Sequence, residues 1–419
     1  MSNGQHILLE DLSVFPALKK IWEFLPEARL VGGAVRDLLL NTDVADFDFG
    51  TPEPPEQVSS ILRNGGIKVI PTGLSHGTVT AVIEGNNFEI TTLRRDEQTD
   101  GRHAQVAWTR NWREDAARRD FTINAMSCGL NGQVHDYFGG QHDLRMSRIR
   151  FVGDARERIR EDALRILRFF RFQGRFGGTE PDQETLDAIS DCAVLVRKLS
   201  AERVWAELRR ILVGPHVVQM LELMARSGVL GECFPELTGR DDTAIALLAS
   251  LIACGGPCDE SLRLAALLKG AGATLDMIER CVHRLRLSRS GATEVISMSG
   301  YPIPTPQNAK DDDDIARLLA NTPRSSLTGR TWLARAEAEQ HGLTSIARED
   351  WVALLCRLKM REQPHFPLAG RDIVALGVLA GPRVGEVLSV VRQWWLDGGC
   401  HEGKKACLTF AKYELATGR

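Results

Sequence analysis

The sequence predicts an α+β protein in which a head built on a small mixed sheet precedes an all-helical remainder. Three observations lead there. Over the first 145 residues, apolar side chains at helical spacing alternate with stretches of strand-like alternation. Beyond about Phe151 the strand signals nearly vanish and helical periodicity takes over. Turn residues mark the boundaries: Gly32-Gly33, Gly85-Asn86 and the three prolines between Tyr301 and Pro306.

Taken in order, Phe15 to Phe24 reads as a short amphipathic helix and Ala28 to Val31 as a strand running into the glycine pair. Val35 to Leu40 continues as a helix, and Asp46 to Phe49 alternates charge and aromatic like a strand. Thr78 to Ile83 and Asn87 to Leu93 form a predicted hairpin. Ile159 to Phe172, Pro181 to Val196 and Ala201 to Leu212 have helical periodicity, and Lys310 to Asp314 reads as a solvated acidic turn. No internal repeat of fixed period is present.

A chain of 419 residues that is 43% hydrophobic can bury more than one core. Met1 to Gln5 are polar and give no secretory signal, and the longest uncharged apolar run, Ala244 to Cys254, is too short to span a bilayer. The nine cysteines are scattered without a CxxC pair, as expected for reduced thiols in a cytoplasmic protein. The net charge of −3 hides an uneven distribution. Between Arg94 and Arg175 there are 17 arginines and 12 acidic residues, a local +5 against −8 elsewhere. That excess of rigid bidentate donors points to a polyanionic partner.

The first chemical constellation is Leu30-Val31-Gly32-Gly33-Ala34-Val35-Arg36-Asp37, followed by Asp46-Phe47-Asp48. A strand ending in two glycines lets backbone N–H groups of Gly32 and Gly33 approach a phosphate, with Arg36 one turn further on. If Asp46 and Asp48 lie in a strand, they share one face, and two close carboxylates call for a cation. A hard Mg²⁺ suits such oxygens together with substrate phosphates, and two such ions support phosphoryl transfer. Glu89 on the predicted hairpin is the candidate third carboxylate.

The second constellation, Arg118-Arg119-Asp120-Phe121-Thr122-Ile123-Asn124-Ala125-Met126, reads as an arginine pair before an apolar helix start, capped by Asp120 or Thr122, with Arg119 able to reach a triphosphate. The third spans Glu161 to Phe172, where Asp162, Arg165, Arg168 and Arg171 recur every third residue as one ridge of a helix. A carboxylate can accept from an exocyclic amino group while the guanidinium beside it donates to the neighbouring ring nitrogen or carbonyl. Cytosine and adenine satisfy that pair, whereas uracil and guanine oppose it at both positions.

These segments, in this order from about Ala28 to Leu212, resemble the class II nucleotidyltransferases of the CCA-adding enzyme and bacterial poly(A) polymerase family. Asp136 to Leu144 and Glu202 to Leu212 resemble two further motifs. The resemblance implies a palm-like nucleotidyltransferase head over residues 1–145, a base-selecting neck over 146–215, and a tRNA-binding body and tail over 216–419. It implies that Asp46 and Asp48 hold metal and act catalytically. Gly33, Arg36 and Arg119 would contact the nucleotide, Asp162 and Arg165 would read its base, and Arg168 and Arg171 would support them. The segment around Asp100-Gly101-Arg102-His103 resembles the loop that lets one pocket change from CTP to ATP. One departure is Leu40-Asn41, where the family commonly has a glycine, so that turn is expected to differ. No His-Asp phosphohydrolase pair occurs in the C-terminal half.

The expected activity is addition of CCA to tRNA 3′ ends from CTP and ATP with Mg²⁺, without membrane association. A poly(A) polymerase or an enzyme adding only CC or only A would use the same parts. A catalytically silent RNA-binding module would lack an aspartate of the Asp46/Asp48 pair, and both are present.

Overall fold

The computed structural model describes residues 6–74, 77–99, 104–178 and 180–417. The chain divides into two compact units, Met1–Cys233 and Phe234–Arg419. Asp100 to His103, the loop singled out above, lies outside the described residues.

The first unit opens with α1 (Phe15–Phe24), β1 (Arg29–Val31), α2 (Gly33–Leu39), β2 (Phe49–Thr51) and α3 (Pro55–Asn64). Strands β3 (Lys68–Gly73), β4 (Thr78–Ile83), β5 (Asn86–Thr92), β6 (Arg94–Thr99) and β7 (Ala104–Trp108) follow. Then come α4 (Trp112–Ala117), β8 (Met126–Cys128), β9 (Val134–Asp136) and α5 (Gly140–Arg145). Seven strands form one sheet in the order β3-β4-β5-β2-β1-β8-β9, and β6 with β7 forms a separate hairpin. Only β2 and β5 pair in parallel, so the main sheet is mixed as expected. The predicted hairpin turns at Glu84 and Gly85, both at positive φ (51° and 82°), the backbone that a tight two-residue connection needs.

The core beneath this sheet is aromatic. Trp22 of α1 meets Phe49 edge-on at 5.1 Å, and Phe49 meets Phe88 at 6.5 Å. Phe49 is fully buried, which pins the start of β2 and thereby the two residues before it. Asn41 takes the left-handed backbone (φ 53°) that a glycine would otherwise supply, and its short amide side chain tolerates it.

Helices α6 (Ala155–Glu161), α7 (Leu164–Phe176), α8 (Gln183–Cys192), α9 (Ala201–Leu212), α10 (Val217–Arg226) and α11 (Val229–Cys233) complete the first unit. The predicted continuous helix from Ile159 breaks at Asp162, whose extended backbone (φ −150°, ψ 104°) separates α6 from α7. Phe151 stacks on Phe169 at 5.9 Å and Phe121 meets Phe172 at 5.4 Å, which clamps α7 against the head.

The second unit is helical throughout its described residues: α12 (Asp241–Ala253), α13 (Glu260–Gly270), α14 (Leu275–Arg284), α15 (Arg289–Met298), α16 (Asp312–Asn321), α17 (Arg324–Gln340), α18 (Ser345–Met360), α19 (Gly370–Val374), α20 (Pro382–Asp397) and α21 (Lys404–Thr417). One apolar cluster gathers Leu319, Leu327, Trp351 and Leu354, and another Val391, Trp395, Cys407 and Ala411. The acidic run starts a helix rather than forming a free turn. Asp311 accepts from the Asp313 N–H at 2.9 Å, and the three aspartates that follow sit in the first turn of α16, where negative charge complements the helix dipole. Among the described residues no helix is long and apolar enough to cross a membrane. Among the described residues no cysteine forms a disulfide.

Candidate active site

A cavity of about 670 Å³ opens where β1, α2, the approach to β2, the turn after α4, and α7 converge. Gly32, Gly33, Arg36, Asp46, Asp48, Arg119, Asp162, Arg165, Arg168 and Arg171 all line it. Of the residues singled out from sequence, only Glu89 is absent from the lining. It lies on β5, where Ile90 pairs with Phe49, so its position continues the register opposite Asp48.

Gly32 shows why glycine is required at the end of β1. Its φ of +67° is in the left-handed region, and a Cβ there would lie 3.0 Å from Nη1 of Arg119. Arg119 is therefore held directly over the strand end. Buried Asp115 anchors it, accepting from Arg119 Nη2 at 3.2 Å and from Arg118 Nε at 2.8 Å. Burial opposes ionisation of Asp115, yet the two arginines hold its carboxyl below the ordinary range.

Asp46 and Asp48 occupy the extended segment before β2, not the strand itself, which begins at Phe49. The Asp48 carbonyl still accepts from the Val31 N–H at 2.9 Å, so the β1 pairing extends to it. Asp48 is open to the cavity on one side and crowded by protein on the others. That crowding, with Glu89 and then Asp46 nearby, pushes its carboxyl up to about 6 against the opposing pull of Arg119. Such a group of repelling acceptors fits a hard divalent cation. Among the described residues no three potential ligand side chains converge closely enough to hold an ion unaided.

The arginine pair does not precede an α-helix as expected. It closes α4, and Thr122–Asn124 forms one 3₁₀ turn that feeds β8. Asp120 and Asn124, both buried, also line the cavity. Asn124 Oδ1 accepts from Arg36 Nη1 at 2.6 Å, while its Nδ2 donates to Asp120 at 3.1 Å. Asp120 in turn accepts from Arg168 Nε at 2.6 Å. Burial would raise the Asp120 carboxyl, but Arg168, Asn124 and the Phe121 N–H together keep it below the ordinary range. Arg36 is committed within the protein: it donates to Asp37 at 2.9 and 3.0 Å, and its guanidinium lies 4.4 Å from the Phe176 ring. Burial lowers its pKa, so its desolvation is only partly offset.

The predicted ridge is two structures. Asp162 stands off the helix. It accepts from the Leu164 N–H at 3.1 Å in the turn just before α7, and it pairs with Arg203 of α9 at 2.7 Å, not with Arg165. Arg165 pairs with Glu161 at 2.6 Å and donates to the carbonyls of Arg158 and Arg118 at 2.9 and 2.8 Å. Arg171 forms an ion pair with buried Glu207 at 2.9 Å, and burial pushes its guanidinium down to about 10. The last motif therefore braces the cavity from α9 through Arg203 and Glu207. The Asp136 motif braces α5, because the Asp136 carboxylate accepts from the N–H groups of Phe138, Gly139, Gly140 and Gln141 at 2.8–3.2 Å.

Asp120, Asn124, Phe172, Arg175 and Arg210 complete the lining and were not among the candidate site residues from sequence. Arg175 lies four residues after Arg171 on α7, so its helical spacing was the available signal. Asn124 and Arg210 fall within the second and last motifs, but no spacing inside those motifs marks either one.

A family model described as the poly A polymerase head domain matches residues 28–150, and one described as a probable RNA and SrmB-binding site of polymerase A matches residues 178–239. The mitochondrial CCA tRNA nucleotidyltransferase 1 of Danio rerio is 36% identical over 373 residues, which is 88% of this chain and 83% of that protein. Its Homo sapiens counterpart is 34% identical over 408 residues, 92% of this chain and 86% of that one. The crystal structure of the Bacillus stearothermophilus CCA-adding enzyme in complex with CTP superimposes with a TM-score of 0.78 at 28% identity, over 97% of this chain and 98% of that one.

Proposed function

This chain belongs to the CCA-adding nucleotidyltransferase family, and on that premise we propose that it adds C, C and A to tRNA 3′ ends from CTP and ATP. The observation that carries the proposal is the content of one cavity: an open carboxylate pair, an arginine fixed over a glycine strand end, and Asp162 at the break before α7 together with Arg165 in its first turn. Residues 1–145 form the catalytic head in this reading, 146–215 the base-selecting neck, and 216–419 the tRNA-binding body and tail.

The nucleotide lies with its phosphates toward Gly32, Gly33 and Arg119 and its base toward Asp162 and Arg165. Arg119, held by Asp115, offers its fork to the triphosphate and orients the α-phosphorus. Asp162 accepts from the exocyclic amino group of cytosine or adenine, and Arg165 donates to the adjacent ring nitrogen or carbonyl. Arg36, Asn124, Asp120 and Arg168 keep these elements in register, while Glu89 adds negative charge beside Asp48. Asp46 and Asp48 would hold Mg²⁺, with remaining positions taken by water and phosphate oxygens. When bound, the ion would favour ionisation of the attacking 3′ hydroxyl and neutralise charge on the leaving pyrophosphate. Nine cysteines without a disulfide among the described residues favour a reducing compartment such as the cytoplasm.

The test is extension of a tRNA transcript lacking its last three nucleotides. Two C residues with CTP alone, and a stop after one A with both nucleotides, is the expected result. A long A ladder with ATP alone would instead identify a poly(A) polymerase.

A further inference from the structure

Arg36, the arginine that the sequence offers to a phosphate, is buried and already engaged. Each of its three guanidinium nitrogens donates to Asp37 or Asn124, and the group lies 5.3 Å from the Phe172 ring and 4.4 Å from the Phe176 ring. A Cβ on Gly33 would lie 3.4 Å from its Nη2, so the guanidinium backs onto the glycine turn and supports it. We propose that Arg175, at the far end of α7, holds the terminal phosphate of the incoming nucleoside triphosphate; the proposal rests on the polymerising activity inferred above.

Arg175 lines the active-site cavity and is exposed to it, with its guanidinium 4.9 Å from the Phe176 ring. Among the described residues it meets no hydrogen-bond acceptor and no carboxylate. Every other arginine of the lining has a carboxylate within 3.8 Å. Position along α7 then assigns the ligand. Arg175 follows Arg168 by seven residues, two turns along the same stripe. Arg165, at the base end in the reading above, is about 15 Å back along the helix, which is the reach of a nucleoside triphosphate from its base to its last phosphate. Arg175 is also close enough to Arg36 for the two charges to oppose each other, which sets it on the side of the glycine turn. A phosphate arriving there relieves that repulsion and accepts charge-assisted hydrogen bonds from the open fork.

Because Arg175 is exposed, replacing it costs folding little. Arg175→Ala should raise KM for CTP and for ATP alike, about tenfold, and leave KM for tRNA lacking CCA unchanged. Tripolyphosphate competes for the phosphate end alone, and its inhibition constant should rise by the same factor. CMP carries the base and the first phosphate but not the last, so its inhibition constant should stay at the wild-type value. Arg175→Lys should recover part of the lost affinity and Arg175→Gln none of it. Equal weakening of CMP and tripolyphosphate would overturn the assignment. So would a rise in acceptor KM with CTP unaffected, which would give Arg175 to the RNA through the neighbouring cavity that it also borders. Wild-type protein that incorporates no nucleotide would overturn the polymerising reading instead, and calorimetric binding of tripolyphosphate, expected for wild type and lost in Arg175→Ala, would still decide the phosphate contact.

Discussion

The carboxylates before β2 and the arginines of α7 line the same cavity, but the fold treats them differently. Asp46 and Asp48 stand in an extended segment with Glu89 nearby, and Asp48 is pushed up to about 6 by crowding and by like charge. On α7, Arg165, Arg168 and Arg171 are matched to Glu161, Asp120 and Glu207. An uncompensated group is one whose partner arrives from solution, whereas compensated groups define the shape that partner meets. The contrast separates a chemical centre from its frame without reference to any relative.

Several changes would break or sharpen that contrast. Asp48→Asn should lower nucleotide incorporation at least ~1000-fold, a barrier increase of about 4 kcal/mol, while tRNA affinity in a filter-binding assay stays near wild type. Near-normal turnover would move the chemistry away from Asp48. In the frame, Arg168→Ala leaves Asp120 buried without its cation and should cost about 2 kcal/mol in urea unfolding, less than for a sealed pair because Arg168 is partly exposed. Because the Asp120 carboxyl is lowered in the fold, this contribution is present at neutral pH and lost as pH falls through the acid range, so variant and wild type should converge there.

Arg165→Ala should weaken discrimination against UTP and GTP about tenfold. The ratio of kcat/KM values reads this directly, because a smaller folded fraction cancels. Unchanged ratios would remove Arg165 from base selection.

Asp48 supplies a pH effect of opposite sign. Its carboxyl rises from an ordinary 3.8 to about 6 in the fold, so the folded state binds the proton more tightly. Stability of the metal-free protein in EDTA should therefore fall as pH climbs through that window, by about 1 kcal/mol once solvent screening of this open group is allowed for. Asp48→Asn should flatten this part of the profile, and added Mg²⁺ should restore stability in wild type only. The smallest effect concerns Asn41: replacement by glycine should change stability by a few tenths of a kcal/mol, and replacement by alanine should cost about 1 kcal/mol. Equal thermal midpoints for the two variants would mean that its left-handed backbone is not strained.

What could be read from sequence was what local pattern determines. Helices α1 and α9 and the β4–β5 hairpin follow from apolar periodicity and turn chemistry. Strands β8 and β9 escape the sequence reading because three-residue strands have too little pattern; pairing of β8 with β1, and of β9 with β8, creates them. The apolar stretch after Asp120 reads as a helix start because a short run looks alike in either state, and it folds as a 3₁₀ turn leading into β8. The break at Asp162 was hidden for a different reason. Spacing by three suggested one ridge, but the partner that helps fix the break, Arg203, lies 41 residues further on. The carboxylate pair and the glycine strand end were legible because their chemistry is local. Asn124 and Arg210 join the cavity through tertiary packing, which no local spacing encodes.

Asp162 holds two posts with two oxygens. One oxygen holds the turn before α7, the other meets Arg203, and the residue lines the cavity. On the proposed reading, fold and specificity are coupled in a single codon. Drift toward a different nucleotide preference would then be closed at Asp162 itself, because a longer Glu would misplace the turn and an amide would weaken the ion pair. Altered preference would have to evolve through its neighbours, and a library randomised at Arg165 and Arg203 with Asp162 fixed is where new specificities should be sought.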